Sequence, residues 1–389
     1  MDKNSSLHVL VLCTWYPSPK DKLIGIYHKI FCKALADYGV KANILYVERL
    51  PFSNVLRFPF LKKYSQEQND GYTTYFRKML HLGRLSYDLH MRSYVKNVER
   101  LYRRYEKLHG KPDVIHAQVT TPAGYAACIL GKKLGIPVVI TEHATYFETF
   151  FSGNDAPYAQ YALKNADRLT CVGKFMVDIF AKNGGDGMQV LPNIVDCSTF
   201  SGPKAGKADD VLRLTTVCAL RPQKEIQIAA AALKILKEKA DFPAFRYTVV
   251  GDGHYGDFYK NAVKELGMEE YVDFVGRKDS TEIAQILSHT DILLMPSSME
   301  TFGIPAIEAL AAGVPVVSTR CCGPEGFLTP ECSEMSNVND PQGFADAIER
   351  MVHRLPTMNE QAVRAVAAQF DSEAVAKQAV GIYREIIKK

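Results

Sequence analysis

The sequence predicts an α/β protein of two doubly wound domains. Short apolar runs bounded by Pro, Gly and Ser, such as residues 7–13 and 291–295, read as buried parallel strands. Each is followed by a stretch with helical spacing, and this alternation occurs in two separate series. Between them, residues 201–210 carry Gly, Pro, small residues and charges without an apolar period, which marks a linker.

At 389 residues the chain is long enough for two domains of ordinary size. Its 47% apolar and 23% charged composition is that of a soluble globular protein, and a net charge of +4 is too mild for a nucleic-acid binder. The nine cysteines lie mostly in apolar runs without C-x-x-C spacing and read as small core residues in a reducing cytosol. Cys321-Cys322 has no further ligand at metal spacing, so no metal is expected. No apolar run approaches the ~20 residues that span a bilayer. A cytoplasmic protein is therefore expected.

The first series opens with strand 7–13, a Trp15-Tyr-Pro-Ser-Pro loop, a helix over 26–38 closed by Gly39, and strand 42–47. This is a βαβ unit with Gly25 at the loop–helix junction, where a phosphate could meet free amides or where the turn needs a positive φ. Residues 57–111 are basic and aromatic, and read either as a solvated helix face or as a surface for anionic lipid or a phosphate-bearing acceptor. Strand 112–117, helix 121–134 and strand 137–143 follow, which puts His143 at a carboxyl strand end, where ligands bind. A packing or capping histidine is the competing reading. Residues 169–172 and 189–191 read as short strands.

The second series runs strand 212–220, helix 226–239, strand 246–250, helix 255–266, strand 272–275, helix 282–288, strand 291–295, helix 304–312 and strand 314–318. The expected domains are 1–203 and 204–371, followed by an amphipathic helix over 372–389. The Pro296–Ser318 stretch is the most informative. Pro305 suits a first helical turn and Gly313 the residue past the last, so Glu300 lies in the loop before the helix and Glu308 one turn inside it. Carboxylates at a helix start would repel phosphate, and suit sugar or ribose hydroxyls instead. The alternative is a dipole-favoured first-turn acid and a solvated loop residue.

Arg221 and Lys224 follow the first strand of the second series and are candidate diphosphate clamps. Gly251-Asp-Gly-His-Tyr-Gly256 matches G-x-G-x-x-G, but it follows an internal strand, and Asp273 begins the next strand instead of ending it. A dinucleotide site is discounted, although close backbone approach, to a nucleotide among other things, is still implied. No D-x-D occurs, so Lys, Arg and helix amides are left to stabilise a leaving diphosphate.

Together these residues resemble family 4 of the glycosyltransferases, the group 1 retaining enzymes of GT-B fold that use nucleotide-diphosphate sugars. The resemblance runs through Trp15-Tyr-Pro-Ser-Pro with Gly25, Pro112-Asp-Val-Ile-His116, Thr141-Glu-His143, Leu191-Pro-Asn-Ile-Val-Asp196, Gly251-Asp-Gly253, Val272-Asp-Phe-Val-Gly276 and the Glu300 to Val317 motif. It implies two Rossmann-like domains facing a central cleft, with the last helix returning to the first domain. It also implies that Glu308 holds the ribose and Glu300 the transferred sugar, beside the amides of Thr301, Phe302, Gly303 and Ile304. Lys224 would bind the diphosphate, Gly25 would admit the phosphates, His143 would border sugar and acceptor, and Arg277 would lie near the base.

The function so implied is metal-independent transfer to a glycan or lipid-linked acceptor in polysaccharide biosynthesis, without a cofactor, at the inner face of an anionic membrane. The chain departs from the family at Cys218-Ala219, where Gly-Arg is usual, at Glu225, where Gly is usual, and at Gln118, where His is frequent. The missing arginine keeps open a non-catalytic GT-B scaffold that binds a sugar nucleotide or protein partner. A less favoured alternative is an NAD-dependent oxidoreductase using residues 251–256.

Overall fold

The computed structural model describes residues 7–19, 21, 24–144, 147–206 and 209–388. The chain forms two compact units, Met1–Ile194 with Ser372–Lys389, and Val195–Asp371. The division between Ile194 and Val195 precedes the 203/204 position expected from linker composition. Val195 donates its amide to the Phe370 carbonyl (3.0 Å), which ties residues 195–203 to the second unit.

The first unit holds an eight-stranded sheet in the order β3-β4-β2-β1-β5-β6-β7-β8. The strands are β1 His8–Cys13, β2 Lys41–Leu50, β3 Tyr64–Gln68, β4 Thr73–Leu80, β5 Val114–Gln118, β6 Val138–Glu142, β7 Arg168–Cys171 and β8 Gln189–Val190. All neighbours are parallel except β3 and β4, which form an antiparallel ribbon at one edge. Strand β1 is buried along its whole length, as a parallel strand covered on both faces must be. The basic stretch thus folds as the β3–β4 ribbon and a helix, Tyr87–His109, whose inner face buries Tyr94, Val98, Leu101, Tyr102 and Tyr105. The helix expected from residue 121 starts at Tyr125, because the Thr120 amide and hydroxyl are taken by the Glu142 carboxylate and Thr121 stays extended.

Helix Ser372–Ile387 belongs to this first unit. Its Val375, Ala376, Ala379 and Tyr383 join Val9, Val11, Phe31 and Leu35 in one apolar core. The Tyr383 hydroxyl lies 2.6 Å from His116 Nδ1, which gives both buried polar groups a partner.

The second unit holds a six-stranded parallel sheet in the order β11-β10-β9-β12-β13-β14. Its strands are β9 Leu212–Val217, β10 Phe245–Val250, β11 Val272–Gly276, β12 Ile292–Met295, β13 Val316–Thr319 and β14 Ser333–Ser336. Helix Ile226–Lys237 presents Ile226, Ala229, Ala230, Leu233 and Leu236 to a core shared with Leu214, Tyr247 and Ile348. Residues 319–371, for which the sequence pattern gave no elements, contain β14 and helices Pro341–Arg354 and Glu360–Ala367.

All nine cysteines are free thiols, and six of them are buried. No helix of the described residues is long and apolar enough to cross a membrane.

Candidate active site

In the second unit the loops after β9 and β12 converge. Pro222–Lys224 is a single 3-10 turn, held from helix Gly256–Glu265 by the Tyr259 hydroxyl, which donates to the Arg221 carbonyl (2.6 Å) and accepts from the Glu225 amide (3.1 Å). Glu225 has φ 46° and ψ 45°, the left-handed conformation for which glycine is suited. The backbone here is therefore the one a glycine would give. The Gln223 carbonyl accepts from the Ser298 amide (2.9 Å), which joins this turn to the loop carrying Glu300.

Glu300 is held from both sides by the loop after β13. Its amide donates to the Cys321 carbonyl (2.8 Å) and its carbonyl accepts from the Gly323 amide (2.9 Å). Its Oε1 then accepts from Lys224 Nζ at 2.5 Å and from the Ser297 hydroxyl at 2.9 Å. The two side chains are only 14% and 13% exposed, so this is a largely desolvated ion pair. Burial works to lower the Lys224 pKa, but Glu300 outweighs it and the net direction is up.

Helix Ile304–Ala311 begins after Gly303, whose φ of 94° turns the chain into it, with Pro305 in the first turn. A Cβ on Gly303 would lie 2.9 Å from the Pro324 ring. Thr301 is buried, and the Phe302 ring packs edge-on against Phe370 and near Phe327, so Phe302 can offer a ligand only its backbone. The first amides of this helix have no intrahelical acceptor. Glu308 lies one turn in and its carboxylate has no hydrogen-bond partner among the described residues. Burial pushes its pKa up to about 7.

Arg221 and Arg277 are exposed, and neither side chain has an ion pair among the described residues. The glycine run has a structural cause. A Cβ on Gly251 would stand 1.8 Å from the Cys218 carbonyl oxygen, and one on Gly253 would stand 2.4 Å from that of Leu220. The close backbone approach read from these glycines is made to the chain's own β9 loop. Cys218 and Leu220 also donate their amides to Val250 and Asp252.

In the first unit, Gly25 caps helix Ile26–Asp37 with φ 69°, and a Cβ there would meet the Trp15 carbonyl at 2.8 Å. His143 follows β6 and is half-buried. Its Nε2 lies 2.6 Å from Gln118 Oε1 and its Nδ1 lies 3.1 Å from Asn193 Oδ1, while the Tyr27 ring stacks on it at 4.3 Å. Desolvation lowers its pKa to about 3, so the ring is neutral and carries one N–H. It can donate to Asn193 and accept from Gln118 once that amide turns its NH₂ inward, which also gives the otherwise unpartnered Gln118 Nε2 an acceptor. Tyr27, Gln118, Thr141, His143 and Asn193 line a cavity of about 10 Å³, room for one water.

Glu142 fixes this corner. It is fully buried and accepts from Thr120 N and Oγ1 and from the amides of His143 and Ala144, at 2.6–2.9 Å. Desolvation raises its pKa and these four donors oppose the rise. Sequence reading placed His143 but assigned no part to Glu142, Asn193 or Ser297. Their signals were position beside a named residue, in Thr141-Glu-His143, Pro192-Asn193 and Pro296-Ser-Ser298. Among the described residues no three His, Cys, Asp or Glu side chains gather as a metal-ligand group.

Two parallel α/β units, the second with carboxylates and a lysine at carboxyl strand ends, define the GT-B class of glycosyltransferase. A sucrose-phosphate synthase from Thermosynechococcus elongatus superposes with a TM-score of 0.73 at 19% identity, covering 98% of this chain and 99% of that one. Anabaena Alr3699/HepE, solved in complex with UDP, superposes with 0.71 at 17% identity over 97% and 100%. In sequence, the chain is 26% identical over 297 residues to the N-acetyl-alpha-D-glucosaminyl L-malate synthase of Bacillus anthracis, covering 71% of this chain and 75% of that protein.

The family described as glycosyl transferases group 1 matches residues 199–366, and that described as glycosyltransferase family 4 matches residues 58–199. The chain belongs to the group 1, family 4 type glycosyltransferases.

Proposed function

We propose that the chain is a retaining glycosyltransferase that moves a sugar from a nucleotide-diphosphate sugar to a glycan or lipid-linked acceptor, without a metal. The observation that carries this reading is the buried Lys224–Glu300 pair beside a helix start that also bears the unpartnered Glu308. A UDP complex of a protein of the same fold supports a nucleoside-diphosphate donor.

Glu308, as carboxylate, accepts from the ribose hydroxyls. Glu300 accepts from the transferred sugar. Lys224, joined by Arg221 and the amides of residues 301–304, takes the diphosphate, while Arg277 lies towards the base. In the first unit Gly25 leaves amides open to phosphate, and His143 binds a hydroxyl of the sugar or acceptor. The bond from the anomeric carbon to the diphosphate breaks, and the acceptor oxygen bonds to that carbon from the same face. The acceptor proton passes to the departing diphosphate. Charge stabilisation at that leaving group is the main catalytic contribution.

The acceptor side is assigned to the basic first unit, in polysaccharide biosynthesis at the inner face of a membrane. Leu56 and Phe60, 84% and 88% exposed, precede Lys62 and Lys63 and suit peripheral contact with anionic lipid.

Thermal shifts against UDP, GDP, ADP and NAD, followed by sugar-nucleotide turnover in a chelator, test the reading. Nucleoside-diphosphate stabilisation with turnover supports it. Stabilisation without turnover points to the scaffold, and a shift with NAD alone overturns it.

A further inference from the structure

Strands β5 and β6 run side by side and parallel, with Gln118 opposite Thr141, and both end at the corner that holds His143. Directly after β5, Val119 has φ 81° and ψ 136°. A β-branched residue avoids positive φ, so this backbone is strained. It is also firmly held. Val119 is fully buried, its amide donates to the Thr141 carbonyl (2.7 Å) and its carbonyl accepts from the Gly124 amide (3.0 Å).

The turn at Val119 brings Thr120 onto the Glu142 carboxylate. Oε2 of Glu142 accepts from the Thr120 amide (2.9 Å) and hydroxyl (2.6 Å), while Oε1 accepts from the amides of His143 (2.8 Å) and Ala144 (2.7 Å). One carboxylate oxygen thus holds the chain after β5, and the other holds the chain after β6. The Gln118–His143 contact, Oε1 to Nε2 at 2.6 Å, lies between the two held segments. Gln118 precedes one and His143 opens the other.

Two unfavourable features meet at this corner. A fully buried carboxylate is stabilised by hydrogen bonds and by no ion pair among the described residues, and a valine sits at positive φ. A corner needed only for packing is served as well by apolar side chains. Both features stand at the carboxyl ends of neighbouring parallel strands, where α/β proteins bind ligands. Once the carboxylate lets go of Thr120, Val119 can relax towards negative φ, and the end of β5 shifts against His143.

We propose that Glu142 is a positioning residue for sugar transfer: by clamping Thr120 and the His143 and Ala144 amides at once, against the strain at Val119, it holds the Gln118 amide against the His143 ring and keeps that ring in one tautomer and one orientation. The assignment rests on the reading of His143 as a contact to the sugar or acceptor. Three full-length variants test it. Glu142→Gln replaces one accepting oxygen by NH₂, Thr120→Val removes one donor at nearly constant volume, and Thr120→Ser restores that donor.

Each protein, labelled with ¹⁵N-histidine, is read at pH 7 without donor by two-bond ¹H–¹⁵N spectra, with His143→Gln used only to assign the His143 signals. Wild type and Thr120→Ser are expected to show one protonated and one unprotonated ring nitrogen, with the proton on Nδ1. In Glu142→Gln and Thr120→Val the two signals move towards each other as the tautomers exchange. On the same preparations, kcat is expected to fall at least about tenfold in Glu142→Gln and less in Thr120→Val, with KM within about twofold and Thr120→Ser at the wild-type rate, as for a misplaced group. Where Glu142→Gln fails to fold, Thr120→Val decides alone. Unchanged His143 signals in the folded variants, or a loss confined to KM, overturns the proposal. The spectra need no donor, so they decide the clamp even where wild type turns over no sugar nucleotide, a result that strikes the transfer reading instead.

Discussion

Lys224 Nζ lies 2.5 Å from Glu300 Oε1 in a pair whose side chains are less than one-seventh exposed. The loops that carry them are joined by the Ser298 amide at the Gln223 carbonyl. A diphosphate reaching Lys224 must therefore share the ammonium with Glu300, and a sugar reaching Glu300 must share the carboxylate with Lys224.

Lys224→Met and Glu300→Gln are each expected to lower kcat/KM by on the order of 10²–10³, the loss typical of one preorganised charge contact. Breaking one side of a buried pair also costs about 3–5 kcal/mol. Glu300→Gln is the milder change, because Ser297 can still donate to the amide oxygen. The double variant should regain part of the stability and none of the activity. Urea unfolding and turnover, measured on the same preparations, separate the two effects.

Glu308 gives a pH dependence whose sign is fixed by its raised pKa. The native state holds the proton more tightly than the unfolded chain, so this contribution to stability is complete below about pH 4.5. It is lost as pH rises to about 7. Glu308→Gln should remove that slope and be the more stable protein at pH 8, by up to about 3 kcal/mol. Donor affinity should move the other way. Wild type gains affinity as the carboxylate ionises near pH 7, whereas the glutamine variant binds weakly at every pH. Denaturation and donor titration from pH 5 to 8 check both.

Gly251→Ala places a Cβ against the Cys218 carbonyl, at a φ of 136° that alanine avoids. Overpacking of backbone against backbone should cost at least about 3 kcal/mol, at the upper end of such changes. A urea midpoint that does not move would show that the glycine serves a ligand and not the β9–β10 contact.

His143 is held neutral by burial, with its pKa near 3, so it should contribute no limb to a rate profile between pH 5 and 8. Gln118→Leu leaves the ring without one of its two amide partners. The expected loss is on the order of tenfold to 10² in kcat, with little change in KM, as for a mispositioned group. A similar loss in KM alone would assign Gln118 to substrate binding.

Both sheets were legible because parallel strands buried on two faces leave short apolar runs, as at residues 7–13 and 291–295. The β3–β4 ribbon was not, since Tyr64–Gln68 is polar and largely exposed at a sheet edge, without an apolar period. Residues 300–308 could be placed on a loop and helix start from Gly303, Pro305 and Gly313 alone. What the residues alone could not supply was pairing across 76 positions, Lys224 with Glu300, because nothing local records it. Glu225 was a puzzle in the sequence and is resolved by φ 46°, the backbone that a glycine would otherwise provide. The basic stretch looked like one surface. The structure divides it into the β3–β4 ribbon and the helix Tyr87–His109.

The most direct test of sugar-nucleotide transfer is release of nucleoside diphosphate from UDP-, GDP- and ADP-sugars in EDTA, with wild type, Lys224→Met and Glu300→Gln run in parallel. The expected result is turnover by wild type with one of these donors and a loss of at least about 10² in both folded variants. Equal rates in the three proteins, or no release from any donor together with no stabilisation by any nucleoside diphosphate, would contradict it.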